Sequence, residues 1–268
     1  MLNSKISKCL LIALCLFVTG NVFAVTWDEL KAKIETKYKG FSTDVKDMEL
    51  VMVTETEGMD EIGPTEVKMF TKGEKYRMET KMEMPEGSGM PAGMGNMDNV
   101  VIFDGKDLWS INQFTGKQKL PADATAASKT RMTWWEDLPV KGKVIGSEKI
   151  GDKDCYIVEA WEEEKKDDKM KGWIDKASLL LIQMEFKGGD DKTFKTVSSN
   201  FKEVKEWQMP YTTEVFVDGK LMSKTTIKTL EINKGLSDDL FDADKVKAKG
   251  QGMPGMPNIQ DMMKKFKP

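Results

Sequence analysis

Residues 74–85, EKYRMETKMEMP, alternate without a break: Tyr76, Met78, Thr80, Met82 and Met84 fall on one side, and Lys75, Arg77, Glu79, Lys81 and Glu83 on the other. A period of two predicts a strand with one wet face. The alternation recurs nearby. Met48, Leu50 and Met52 share a side in KDMELVMV, Val67 and Met69 in TEVKMF, and Leu180, Ile182, Met184 and Phe186 in LLLIQMEF. The dry sides are rich in methionine, a poorer β-former than Val or Ile. Its unbranched, polarizable side chain re-packs around different apolar shapes, so these sides read either as ordinary core or as an adaptable wall for an apolar ligand. Pattern alone leaves both open.

Around these segments the chain predicts one helix followed by many strands. Residues 26–38 carry a capping box, Thr26 with Glu29, and place Trp27, Leu30, Ile34 and Tyr38 on one helical side. Strands are expected at about 45–56, 65–71, 74–84, 99–104, 107–113, 142–150, 154–161, 171–175, 179–187, 192–203, 211–218 and 221–232. The turns between them, such as TKGE, FDGKD, IGDKD and VDGKL, contain Gly or Asp and are tightly spaced, so the pairing is mainly an antiparallel meander. A mainly β (α+β) fold with helices on one side of the sheet follows. Residues 122–137 hold better helix formers and predict a short helix. Residues 235–246 read as a capped turn or short helix closing the domain, with Leu240, Phe241 and Val246 inward. Beyond them, 247–268 reads as a Gly/Pro/Met-rich linker and a short amphipathic tail helix, with Ile259, Met262, Met263 and Phe266 opposite Lys264, Lys265 and Lys267.

The first 24 residues change the picture of location. Lys5 and Lys8 precede the apolar run CLLIALCLFV, and Val22 and Ala24 stand as small residues before a cleavage point, the pattern of a removed secretory signal. The run is well short of the ~20 apolar residues of a spanning helix. Without residues 1–24 the chain keeps 39 basic and 44 acidic residues, a net −5, with no basic block for nucleic acid. Cys9 and Cys15 depart with the signal, so Cys155 stands alone and no internal disulfide is expected. The chain has no histidine at all. That excludes Ser-His-Asp and Cys-His nucleophile systems and imidazole metal sites, and the acids are spread along strand sides and turns, so no catalytic constellation is read.

The segment VVIFDGKDLWSINQFTGK, residues 100–117, resembles the Asp-Gly-Lys-x-Leu-Trp hairpin of the periplasmic lipoprotein carrier family, LolA, and follows KYRME as the family's hairpin follows a Tyr/Phe-Arg strand. GDKDCYIVEA, KGWIDKASLLLIQMEF, FKEVKEWQMPYTTEVF and INKGLSDDLFD are similar, in that order, to later segments of the wider outer-membrane lipoprotein-sorting family. The resemblance spans about residues 26–246, with Trp109, Trp173 and Asp175 on its motifs. It implies an incomplete antiparallel β-barrel wrapped around a few helices, a periplasmic location, an apolar cavity for lipoprotein acyl chains or lipid, sorting partners in the inner or outer membrane, and no catalysis or cofactor. The cavity wall expected from it comprises Met48, Leu50, Met52, Val67, Met69, Tyr76, Met78, Met82, Met84, Trp109, Leu180, Ile182, Met184 and Phe186. One departure stands out: the family's early strand bears an arginine that latches its lid, whereas FSTDVKDMELVMV has none, and the chain's arginines are Arg77 and Arg131.

Two segments cluster thioethers among glycine and proline: Met90, Met94 and Met97, and then Met253, Met256, Met262 and Met263. Thioethers suit Cu(I), so a Met-rich copper-binding protein is the competing reading, with a plain structural module as the third. On the ligand-binding reading the first cluster belongs to a lid, and Ile259, Met262, Met263 and Phe266 to a tail that plugs the cavity or lies against a membrane.

Overall fold

The computed structural model describes residues 25–58, 63–83, 96–121, 134–136, 138–164 and 168–246. One α-helix, α1 (Trp27–Asp44), precedes the sheet. The first half of the sheet holds β1 (Asp47–Thr56), β2 (Thr65–Lys72), β3 (Lys75–Glu83), β4 (Asn96–Phe103), β5 (Leu108–Asn112) and β6 (Gly116–Lys119). The second holds β7 (Lys141–Ile150), β8 (Lys153–Trp161), β9 (Met170–Asp175), β10 (Leu181–Lys187), β11 (Thr193–Val204), β12 (Trp207–Val217) and β13 (Lys220–Ile232). All thirteen pair antiparallel in one open sheet, in the order β6-β5-β4-β3-β2-β1-β13-β12-β11-β10-β9-β8-β7. Each half is a meander. Among the described residues, strand pairing joins the two halves at β1 with β13 alone, and β6 and β7 are the edges of the sheet.

The turns make this topology. At Asp218–Gly219 both residues have positive φ, 49° and 78°, the backbone of a two-residue hairpin whose twist matches its strands. The Asp218 carboxylate also accepts the Thr193 N–H at 2.9 Å, fastening the turn to the start of β11.

α1 begins as its sequence predicts: Thr26 Oγ1 accepts the Glu29 N–H at 3.2 Å, and the Glu29 carboxylate accepts the Thr26 N–H at 2.9 Å. It runs beyond residue 38 to Asp44 because Gly40, which weakens the helix on propensity alone, lies beside the Trp207 ring and lets Phe41 continue the buried stripe. Trp27, Leu30, Ile34, Tyr38 and Phe41 are all buried against Val158, Ala160, Trp173, Ile174, Val204 and Trp207. An α-carbon without a side chain is needed where helix and sheet come closest: a Cβ on Gly142 would lie 2.7 Å from the Trp27 ring. Trp134 and Trp135 close over the helix, with Trp135 stacked on Tyr38 at 4.7 Å and edge-on to Phe41 at 5.4 Å. Burial of this one stripe is the main tie between α1 and the sheet.

The sequence expectation of a mainly β, open barrel-like fold holds, with three differences. Among the described residues the sheet wraps one α-helix rather than a few, and Trp134–Glu136 form a turn; most of the helix expected at 122–137 lies outside the described residues. β6 was not foreseen, because GKQK carries no apolar alternation. β12 starts at Trp207, earlier than expected, since Trp207 pairs with Val204 across a tight turn. The signal segment and the linker and tail also lie outside the described residues.

Candidate functional site

Strand register decides which side chains share a face, because residues directly opposite across a ladder point the same way. Met48, Thr71, Tyr76, Phe103 and Leu108 form one row across β1 to β5. Leu50, Met69, Met78 and Val101 form the next, and Met52, Val67 and Thr80 the third. Met82 stands in a fourth with Thr54 and Thr65. The alternation read from sequence therefore builds one wall. This wall lies on the face that α1 covers further along the sheet, since Leu230 and Ile232 of β13 pack against both the α1 core and the methionine cluster.

Burial is graded along the wall. Met48, Leu50 and Met69 are 5%, 2% and 3% exposed, whereas Met52, Val67, Met78 and Met82 are only half-buried. Tyr76 stacks on Phe103 at 5.7 Å, and Val101, Phe103 and Leu108 complete the apolar surface. Sequence reading missed these last three because VVIF and LWSI are apolar on both sides.

Other expected members stand elsewhere. Trp109 is a correction: it pairs with Ile102 and Lys119, the opposite parity, and packs with Phe70, Ile102 and Phe241 on the outer face while its indole donates to Asp104 at 3.3 Å. Leu180 and Ile182 are core beneath α1, 2% and 4% exposed. Met184 keeps the inner face, in a row with Thr196, Val215, Ser223 and Thr56, and is half-buried; Phe186 stacks on Phe194 at 5.3 Å. Met84, Met90, Met94, Ile259, Met262, Met263 and Phe266 lie outside the described residues, and Met97 is placed by backbone pairing with Met82.

The outer face of the first half is closed by residues 236–246, a strap around the 3-10 turn Asp238–Phe241. Phe241 and Ala243 sink onto Phe70, Ile102 and Ile111. Cations of the sheet hold the strap: Lys72 donates to the Leu236 carbonyl at 2.8 Å, Lys75 pairs with Asp238 at 2.9 Å, and Arg77 donates to the Leu240 carbonyl at 3.0 Å while pairing with Glu79 at 2.6 Å. Arg77 is thus a strap anchor. The hollow of about 410 Å³ beside it mixes charged Arg77, Glu79, Lys81 and Lys245 with apolar Val100, Ile111 and Val246.

A second hollow, about 790 Å³ and mainly polar, opens at the other end of the helix, lined by Tyr38, Lys153, Asp175, Ser178 and Trp207 among others. Asp175 accepts both the N–H (2.9 Å) and the hydroxyl of Ser178, and Lys153 lies 3.9 Å away. Burial alone would raise its carboxyl, but the Ser178 bonds, Lys153 and the Ala177 N–H prevail and hold it below the usual range. Tyr38, which donates to the Ser178 carbonyl at 2.9 Å, is pushed above the usual phenol range by burial and then by the Asp175 charge. Burial and the same charge raise Cys155, which is wholly buried and unpaired, so its thiol is inert. A carboxyl held low in the folded state adds stability that is complete above its unfolded pKa, about 4, and is lost as pH falls through the folded value. Asp175→Asn is therefore expected to be less stable at neutral pH and to lose less stability on acidification below about pH 4 than the parent chain; urea titrations at several pH values measure both.

An open antiparallel sheet wrapped on one helix, with an apolar inner face, defines a class of half-barrel proteins. Within it, the chain aligns with a domain named for outer membrane lipoprotein sorting from Vibrio parahaemolyticus at a TM-score of 0.54 and 14% identity, covering 81% of this chain and 96% of that one. It aligns with a DUF1329 family protein from Desulfovibrio piger at 0.52 and 16%, covering 81% and 95%. A LolA superfamily protein from Nitrosomonas europaea aligns at 0.49 and 16%, covering 83% and 100%. A family model described as "-like: Uncharacterized protein" matches residues 136–248. No curated protein matches the chain. The fold is shared with the domain named for outer membrane lipoprotein sorting, in line with the fold that the sequence resemblance implied.

Proposed function

We propose that this chain is a non-catalytic periplasmic carrier that binds lipoprotein acyl chains or lipid on its methionine-lined inner face, delivering them between envelope membranes. The observation that carries this reading is the register itself: three adjacent rows, from Met48 to Val67, present mainly thioether, aliphatic and aromatic side chains, with Thr71 and Thr80 among them and no charged residue, and the outermost are half-buried. A closed core would be better specified by branched residues; thioethers suit a surface that accepts different chains. The fold shared with a domain named for lipoprotein sorting supports the same reading, and the apolar leader supports export.

The test is native mass spectrometry with lipid extraction on residues 25–268 purified from a bacterial periplasm without detergent. Co-purified acyl species are expected. Val67→Glu sets a carboxylate in the half-buried wall and is expected to reduce their recovery at least ~10-fold while circular dichroism stays unchanged. A bare protein mass for the parent chain, unaltered after incubation with lipid, would sink the proposal.

A further inference from the structure

The strap of residues 236–246 lies across the outer face of the first half without joining its ladder. Among the described residues its backbone-to-backbone hydrogen bonds are internal, the Leu240 N–H to Ser237 and the Asp242 N–H to Asp239 among them. Its ties to the sheet run through side chains. Phe241 sinks among Phe70, Ile102 and Ile111. Three residues before it, Asp238 pairs with Lys72 at 3.2 Å and with Lys75 at 2.9 Å; three residues after it, Asp244 pairs with Lys117. Lys72 and Arg77 also donate to backbone carbonyls, those of Leu236 and Leu240. Every peptide carries such carbonyls, so what the sheet reads is an aromatic anchor with a carboxylate on each side of it.

The strap underfills this groove. Hollows of about 410 Å³ and 250 Å³ are lined by strap and sheet together, the first over Val100 and Ile111 beside Asp239 and Val246, the second between Trp109, Lys117 and residues 242–244. Arg77 Nε is buried without a hydrogen-bond partner among the described residues, and an unmatched buried donor costs stability. The root of the strap is fixed more completely. Asp47, 6% exposed, accepts the N–H of Lys234 at 2.7 Å and that of Gly235 at 3.0 Å, while the Asn233 amide donates to the Asp44 carbonyl at 2.7 Å. Gly235 stands at φ 76°, where glycine carries no strain. A firm root followed by a glycine makes a hinge, from which residues 236–246 lift while 233–235 stay. So short a root also keeps the strap on its own sheet rather than on that of a second copy.

We propose that this groove docks an acidic segment of another protein, an aromatic residue with a carboxylate three positions to either side, and that the strap is its built-in substitute, displaced when the partner arrives. The groove lies on the face opposite the methionine wall, so the inference stands apart from the lipid-binding reading. Charge sets the sign of the partner. Lys72, Lys75, Arg77, Lys81 and Lys117 border the groove. Of the acids there, Glu79 is engaged by Arg77, Asp98 stands opposite Lys81, and Asp104 accepts the N–H groups of Lys106 and Asp107. Lifting the strap removes Asp238, Asp239, Asp242 and Asp244 with one cation, Lys245, and leaves a cationic surface with an apolar floor. An acidic segment with an aromatic anchor restores both the charge and the burial that are lost.

The probe is a fluorescein-labelled peptide of residues 235–246, titrated by anisotropy onto residues 25–268 and onto two variants of that chain. Phe241→Ala loosens the strap at its anchor, and Asp238→Asn/Asp244→Asn loosens it through side chains that are 63% and 90% exposed, away from the core. Phe241→Ala is expected to bind the peptide at least ~10-fold more tightly than the parent, and the double variant to bind it more tightly as well. A peptide carrying Asp238→Asn and Asp244→Asn should bind about fivefold more weakly, since exposed ion pairs each add little. In the parent chain, saturating peptide should speed hydrogen exchange across 236–246 and leave β1 and β13 slow. No binding to either variant, equal binding of the neutralised peptide, or strap exchange that saturating peptide leaves unchanged would overturn the inference. Parent dimers in native mass spectra that the peptide dissociates would overturn it too, because the occupant would then be a second copy.

Discussion

Trp207→Ala is expected to lower unfolding stability by about 3–5 kcal/mol, the range for removing a large buried aromatic side chain. Trp207 is 4% exposed and sits where three elements converge. Its ring meets Phe41 edge-on at 5.1 Å, it pairs with Val204 across the β11–β12 turn, and it flanks Gly40 of the helix. Truncation leaves a void bounded by a helix and a hairpin, neither of which can move inward without losing its own pairing. The urea midpoint should fall with an unchanged m-value, and Trp207→Phe should recover part of the loss. A fall of less than about 1 kcal/mol would mean that the helix end re-packs freely and that α1 is not held there.

Phe241→Ala is expected to act on one segment. Phe241 is 2% exposed, and its contacts are confined to the outer face of β2, β4 and β5. The strap's remaining ties are the smaller apolar contacts of Leu236, Leu240, Ala243 and Val246 and a set of ion pairs and carbonyl contacts, of which the Lys75–Asp238 pair is largely exposed and contributes little. Removing the aromatic anchor costs about 3–5 kcal/mol in a fully buried setting and takes away the largest apolar side chain of the strap, so the strap should detach while the sheet stays folded. Hydrogen exchange would then rise across residues 236–246 and stay slow in β1 and β13. Uniform acceleration throughout the sheet would show instead that the strap is integral to global stability.

The methionine wall was legible because its residues alternate with charges on strands that have one dry side: Lys75, Arg77, Glu79 and Lys81 mark the wet positions of β3 as clearly as the thioethers mark the dry ones. Trp109 was not legible in the same way. Leu108 and Ile111 of β5 are both buried, one on each face, because the strap covers the outer side, and a strand covered twice loses its alternation. Leu180 and Ile182 alternate as convincingly as Met184 and Phe186, and only the position of α1 separates core from wall. Arg77, noted for what the early strand lacked, proved to anchor the strap.

The order of strands carries a further consequence. β6 and β7 follow one another along the chain yet occupy opposite margins of the sheet, so cutting the backbone between them would sever no hydrogen-bonded pair of strands. The two pieces would each keep a complete run of neighbouring hairpins and would recognise one another through one ladder, β1 with β13, through α1 of the first piece packed on the sheet of the second, and through the strap of the second packed on the outer face of the first. Local hairpins close quickly, whereas joining strands so far apart in the chain is slow. Assembly of the intact protein is therefore expected to finish at that central seam, after its flanks are already built.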